Sequence, residues 1–149
     1  MIAVVQRVVR ASVAVESEDY RAQIGPGLCV LLGVEVGDQE DDALWMAGKL
    51  ARLRIFKDQQ DKMNRSVQDI GGEVLIISQF TLAGDASKGN RPSFIGAAPP
   101  EIGRALYERV CAAVREEHNL PVKTGIFGAM MQVELVNDGP VTLIVRSRE

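Results

Sequence analysis

The sequence predicts an α+β fold: a curved, barrel-like, mostly antiparallel sheet packed with two main helices, in a single domain covering residues 1–149. Three observations point to it. Short runs rich in Val, Ile and Leu recur along the chain, bounded by Gly, Pro, Asn and Asp. Two segments instead space their apolar residues three and four apart, the helical period. Strands outnumber helices, which suggests one sheet covered by helices.

Val4 to Val9 reads as a first strand, and Ala11 to Val15 as a second extended segment. Tyr20 to Ile24 is a short strand closed by the turn Gly25-Pro26-Gly27. Leu28 to Val36 is strongly apolar and ends at Gly37-Asp38. Glu40 to Arg54 has helical periodicity, with Ala43, Met46, Ala47, Leu50 and Leu53 on one face. Its acidic residues crowd the first turn, where the helix dipole favours them; Arg52, Arg54 and Lys57 complement the other end. Gly71-Gly72 introduces the β-branched strand Glu73 to Ser78. Ala83 to Pro100 is a long segment without periodicity, of a length that is usually functional in a compact domain. Pro99-Pro100 opens a second helix, Glu101 to Glu117, with Ile102, Leu106, Val110, Ala113 and Val114 as its apolar stripe. Met130 to Val136 and Val141 to Arg146 are the last two strands, joined through Asn137-Asp138-Gly139-Pro140.

Bulk properties exclude several classes. With 149 residues the chain can bury a real core, and 46% hydrophobic with 25% charged residues is ordinary for a globular protein. No apolar run is long enough to span a bilayer, and the first residues lack a secretory signal pattern, so a cytoplasmic location is expected. The net charge of −3 argues against a long nucleic-acid footprint but leaves room for a short single-stranded end. Cys29 and Cys111 have no ligand partners at metal spacing and read as buried thiols. His118, the one histidine, ends the second helix, where the dipole favours a cation. Without a second histidine, Ser-His-Asp and Cys-His sites are disfavoured. No metal cluster, phosphate loop or dinucleotide fingerprint is present, and no metal or cofactor is expected.

What remains is a site built from backbone and hydroxyl groups. Ser78-Gln79-Phe80-Thr81 follows the buried run Val74 to Ile77, so its N–H groups are available to a ligand. Such donors stabilise the oxyanion formed in ester hydrolysis. Thr81 is a candidate nucleophile, but no side-chain base lies nearby in sequence, so a positioning role is preferred. Taken alone, the motif reads as a strand ending in a Ser/Thr turn rather than a site, and Asn137 to Pro140 as a hairpin turn. Lys88 and Arg91 in the long segment fit either contact with a terminal phosphate or plain solvation.

Ser78-Gln79-Phe80-Thr81-Leu82 and Asn137-Asp138-Gly139-Pro140-Val141-Thr142, with Arg91-Pro92-Ser93-Phe94 and Thr124-Gly125-Ile126-Phe127-Gly128-Ala129 in order between them, resemble the D-aminoacyl-tRNA deacylases. The likeness runs from Met1 to about Val145. It implies a tRNA-editing esterase acting on the aminoacylated 3′ end of tRNA. The substrates implied are D-aminoacyl-tRNAs and glycyl-tRNA mischarged on tRNA(Ala). It implies Ser78, Gln79, Phe80 and Thr81 as the catalytic group, with Gly139, Pro140, Met131, Phe127 and Arg7 lining or supporting the substrate site. It further implies a homodimer in which a cis Gly139-Pro140 enters the partner's active site and rejects L-aminoacyl groups. Phe127 and Met131 are equally readable as core residues on a strand, and Arg7 as a surface ion pair. The alternative from another class is a non-catalytic tRNA-end or nucleotide binding module. A purely structural dimerising protein and a free D-amino-acid hydrolase are the remaining options.

Overall fold

The computed structural model describes residues 1–148. The elements are β1 (Ile2–Val15), β2 (Tyr20–Ile24), β3 (Gly27–Gly33), α1 (Glu40–Arg52), β4 (Phe56–Lys57), β5 (Met63–Arg65), β6 (Glu73–Ser78), α2 (Pro100–Glu116), β7 (Val122–Thr124) and β8 (Gln132–Arg146). The main sheet has the order β2-β1-β3-β6-β7, with β8 on the other edge of β1, and it curls until nearly closed into a barrel. β1 pairs antiparallel with β2, β3 and β8, whereas β3–β6 and β6–β7 are parallel. The α+β fold and its mostly antiparallel sheet agree with the sequence reading.

Side-chain alternation divides the core. Leu28, Val30 and Leu32 of β3 and Val74 and Ile76 of β6 face the helices, meeting Met46 and Leu50 of α1 and Val110 and Val114 of α2. Cys29 of β3 and Leu75 and Ile77 of β6 face the opposite way, into the curl of the sheet, with Val8, Val13 and Ile24. β6 is therefore covered on both faces, which is why it reads as an unbroken apolar run. Each of its four buried aliphatic side chains contributes roughly 1.5–3 kcal/mol.

Several elements differ from the sequence reading. The two segments Val4–Val9 and Ala11–Val15 are one strand. β1 carries a bulge at Val9, where Val8 pairs with Asn137 and Arg10 with Val136. The bulge flips the face: Ala3 and Val5 point to the helices, whereas Ala11 and Val13 point into the curl. The two last segments likewise form one strand, β8, which starts at Gln132 rather than Met130 and runs through to Arg146. Asn137 to Pro140 is thus not a hairpin turn but an irregularity within β8, between Thr142 paired to Gln6 and Asn137 paired to Val8. β3 ends at Gly33 rather than Val36, and α1 at Arg52 rather than Arg54. The short strands β4, β5 and β7 were not legible as periodic runs. Of the stripe expected on α2, Val110, Ala113 and Val114 are buried and Leu106 packs on the core, whereas Ile102 is half exposed; Gly103, Tyr107 and Cys111 are buried beside them.

α1 opens with a capping box in which Asp42 accepts from the Gln39 N–H at 2.8 Å. Asp42 is buried, and the Arg148 guanidinium grips both its oxygens, with Nε at 2.9 Å from Oδ1. Hydrogen bonding to Arg148, ahead of the Gln39 amide, holds the Asp42 carboxyl well below the usual carboxylate range. A depressed folded-state pKa stabilises the protein above the unfolded value, about pH 4, and the contribution vanishes as pH falls through the folded value. Arg148→Ala is expected to destabilise the protein at pH 7 by removing the partner of the buried Asp42 carboxylate. Urea titrations at pH 7 and pH 3 should show that loss shrinking at the lower pH; an equal loss at both would mean the ion pair is not its source.

Candidate active site

The parallel strands β3, β6 and β7 all end on one side of the sheet, and β6 delivers Ser78 there. The chain then leaves the sheet. The Gln79 N–H still donates to the Leu32 carbonyl at 2.8 Å, after which Phe80–Ala83 forms a 3₁₀ turn. The turn closes through Leu82 N–H to Gln79 O at 3.2 Å and Gly84 N–H to Thr81 O at 3.0 Å. The turn sits so close to β3 that a Cβ at Gly33 would lie 2.9 Å from the Gln79 carbonyl oxygen. The first N–H groups of a helical turn have no internal acceptor, and among the described residues those of Phe80 and Thr81 find none elsewhere. The Gln79 side-chain amide donates to Thr81 Oγ1, leaving the threonine proton available to a ligand.

Beside this turn lies a cavity of about 600 Å³, lined mainly by apolar side chains. Ser78, Gln79 and Phe80 form one part of its wall, and Val34, Tyr107 and Phe127 are among the others. Phe80 is exposed and stacks edge-on against Phe94, with centroids 5.3 Å apart. The long segment expected between Ala83 and Pro100 is ordered by backbone bonds. Asp85 and Ser93 exchange bonds at 2.8 and 2.9 Å, Val36 N–H reaches Gly96 O at 2.9 Å, and Ala98 N–H reaches Val34 O at 3.0 Å. It brings Phe94, Ala98 and Pro100 to the cavity, whereas Lys88 and Arg91 remain exposed outside the lining.

The other expected site residues fall in two further places. Arg7 is buried on β1; its Nε donates to the Asp138 carbonyl at 2.8 Å and a terminal nitrogen to the Ile55 carbonyl at 2.6 Å. It lies buried beneath residues 138–139 and braces them, and its Nε also pairs with the exposed Asp138 carboxylate at 3.7 Å. Asn137 bridges the same irregularity, accepting from Val141 N–H at 2.7 Å and donating to Val141 O and Thr142 Oγ1 at 3.2 Å. The Gly139-Pro140 peptide bond is cis. Gly139 has φ +155°, and a Cβ there would stand 2.7 Å from the Val141 nitrogen, so glycine is required. Arg7, Asp138 and Gly139 border a separate pocket with Phe56 and Lys57, and neither Gly139 nor Pro140 lines the 600 Å³ cavity. Met131 packs on the core inside the curl, away from Phe127. Neither Met131 nor Phe127 lies on a strand; both belong to the connection between β7 and β8.

Within one chain, then, the structure joins Ser78, Gln79, Phe80 and Phe127 around a cavity with Thr81 on the adjoining turn, and sets Arg7, Gly139 and Pro140 apart. A family model described as D-Tyr-tRNA(Tyr) deacylase matches residues 4–146. The chain belongs to the D-Tyr-tRNA(Tyr) deacylase family. A D-aminoacyl-tRNA deacylase of Anaeromyxobacter dehalogenans is 59% identical over 148 residues, covering 99% of this chain and 98% of that one. One from Chlorobaculum tepidum is 54% identical over 147 residues, covering 99% and 97%. Among solved structures, the c-Myc DNA Unwinding Element Binding Protein is 42% identical with a TM-score of 0.91, each chain covered in full. A probable eukaryotic D-amino acid tRNA deacylase, 20% identical over 97% of both chains with a TM-score of 0.81, shares the fold. The resemblance read from the motifs is thereby established at the level of the family, an enzyme family of hydrolases.

Sequence reasoning missed Tyr107, Val34 and Ala98 as cavity residues. Tyr107 donates to the Ile76 carbonyl at 2.7 Å, and burial pushes its phenol far above the ordinary range, so it serves as a neutral donor. The cavity lining contains no His, Asp, Glu, Lys or Arg: His118 lies just past α2, a 17-residue helix about 25 Å long whose first turn borders the cavity. Among the described residues no group of His, Cys, Asp or Glu could hold a metal. Cys29 and Cys111 are buried, and burial pushes both thiols up to about 11. At pH 8 roughly one in a thousand would be thiolate. A thiol reagent should therefore label neither in the native protein over minutes and both in denaturant; rapid native labelling would show a mobile α2 or β3.

Proposed function

We propose that this protein hydrolyses the ester between a D-amino acid, or glycine, and the 3′-terminal adenosine of tRNA. The reading is carried by the two acceptorless N–H groups of Phe80 and Thr81 beside the apolar cavity. An ester carbonyl placed there accepts from both, and the same donors hold the oxyanion after water attacks. Loss of one such donor typically costs roughly 10²–10³ in rate. Thr81 Oγ1, fixed by the Gln79 amide, positions the substrate through its remaining proton. An aminoacyl ester is already activated, and the neighbouring ribose hydroxyl can assist the water, so a strong side-chain base is not needed.

Gly139 and Pro140 reach such a site only from a second copy of the chain. Two features support a homodimer. β8 is an edge strand of 15 residues, and Val133, Val136, Leu143 and Ile144 on it are exposed. Gly139 and Pro140 are themselves exposed and braced from beneath by Arg7 and Asn137. Proline's fixed φ makes that segment a rigid wall. Presented by the partner subunit at the substrate's α-carbon, the wall blocks an L side chain and leaves a D side chain, or none, unobstructed. The protein then rejects L-aminoacyl-tRNA while accepting many D-aminoacyl groups and glycine.

A second reading, nucleic-acid binding without turnover, draws on the DNA-element-binding description of the 42% identical structure. Turnover separates the two. Purified protein should hydrolyse D-tyrosyl-tRNA and spare L-tyrosyl-tRNA; binding with no hydrolysis of either would favour the second reading. Thr81→Ala removes one hydrogen bond and should slow the D reaction about tenfold. A loss beyond about 10⁴ would instead assign Thr81 as the nucleophile. Gly139→Ala must displace the Asp138–Val141 backbone, and a 1 Å misplacement costs about 100-fold. Unaltered D/L discrimination in that variant would remove the wall from the mechanism.

A further inference from the structure

We infer that Arg104 and Arg115 form a phosphate track for the single-stranded nucleotides that precede the terminal adenosine of the RNA substrate. The inference rests on the esterase reading above and adds a binding site to it. A second cavity, about 230 Å³, lies next to the first; Tyr107 and Phe127 line both. The first cavity is apolar, whereas the second is bordered by Arg104, Glu108 and Arg115 of α2. These three and Cys111 follow the spacing i, i+4, i+7, i+11, one face of the helix.

The chemistry of the shared wall fits a chain of alternating base and phosphate. The Arg104 guanidinium lies over the Phe127 ring, 4.8 Å from its centroid, and that ring in turn meets Tyr107 at 5.8 Å. A stacked guanidinium keeps its planar fork of N–H groups available for phosphate oxygens. Among the described residues neither Arg104 nor Arg115 has a carboxylate partner. Arg109, on a different face of α2, is by contrast committed to Glu40 at 2.8 Å and Glu117 at 2.9 Å. Arg115 makes only a long bond, 3.4 Å, to the Val122 carbonyl. Both arginines are exposed and border the same cavity.

With a nucleoside in the apolar cavity, its 5′ phosphate leaves across Phe127 toward Arg104. Arg115 lies eleven residues further along α2, about 16 Å at the helical rise, and takes a phosphate further up the strand. Glu108 stands between them and opposes the phosphates, which keeps the track weak. A contact of one or two phosphates suits an acidic protein that grips only a strand end.

The test compares two substrates: D-tyrosyl-tRNA, and D-tyrosyl-adenosine esterified at the ribose, which carries no phosphate. For Arg104→Ala, kcat/KM on the tRNA relative to the adenosine ester should fall about tenfold, through KM. The slope of log(kcat/KM) against log[salt] should shrink by about 0.7, the value for one single-strand phosphate. Arg104→Lys should restore most of the loss, and Glu108→Gln should lower KM for the tRNA. Equal losses on both substrates would overturn the inference by making Arg104 a support for Phe127. So would no loss on either. A wild-type protein that cleaves neither substrate would instead bring down the esterase reading, and this inference with it.

Discussion

β1 is hydrogen-bonded along both edges, to β8 on one side and to β3 and then β2 on the other. Both the turn after β6 and the segment Asp138–Pro140 are placed by that one strand. Along the first edge, β1 fixes β3, which fixes β6, whose end carries Ser78 and the turn beyond it. Along the second, β1 fixes β8 and sends Arg7 under the Asp138 carbonyl. The bulge at Val9 is what allows a single 14-residue strand to serve both cores, because it exchanges the inward and outward faces halfway along. A regular strand would have directed one half of its apolar side chains into solvent.

The same construction explains why the site uses backbone groups. β6 is buried on both faces, so nothing polar is presented until the strand ends. The chain must then turn sharply, and a 3₁₀ turn leaves its first donors without partners. Gly33 is the sequence-level requirement for that geometry, since only a residue without Cβ lets the turn settle against β3. The donors lie beside an apolar cavity, where a hydrogen bond to a developing charge is worth more than in water. A site of this kind needs no titrating side chain near neutral pH. The thiols and the Tyr107 phenol, all pushed upward by burial, are accordingly inert parts of the frame.

The fold class, both helices and the buried strand β6 were legible because each depends on local pattern, whereas Ser78–Thr81 was singled out only by its resemblance to the family. Val74 to Ile77 could only be a covered strand, and Pro100 could only open a helix. The bulges were not legible. Arg10 looked like a break between two strands because a bulge leaves no period behind. Asn137-Asp138-Gly139-Pro140 has the composition of a hairpin turn, yet long-range pairing with β1 carries the strand through it. β4, β5 and β7 are two or three residues long, too short for periodicity to register. The cavity was hidden for a different reason: Val34, Ala98, Tyr107 and Phe127 come from four segments that only the tertiary fold assembles.

The separation of the two motifs within one chain has a consequence for selectivity. A chiral filter made of side chains on the cavity wall would respond to the size and polarity of the amino acid as well as to its hand. Gly139 and Pro140 instead offer backbone, braced by Arg7 and Asn137 so that it does not yield. In the dimer we propose, backbone supplied by a second copy would be indifferent to what the D side chain is, since that side chain would point away from it. On this construction, edge strand, apolar β8 face and chiral filter are one device. The dimer we propose covers the exposed edge and completes the site in the same step. On this proposal the RNA would present only its terminal nucleotides, which suits a chain of net negative charge.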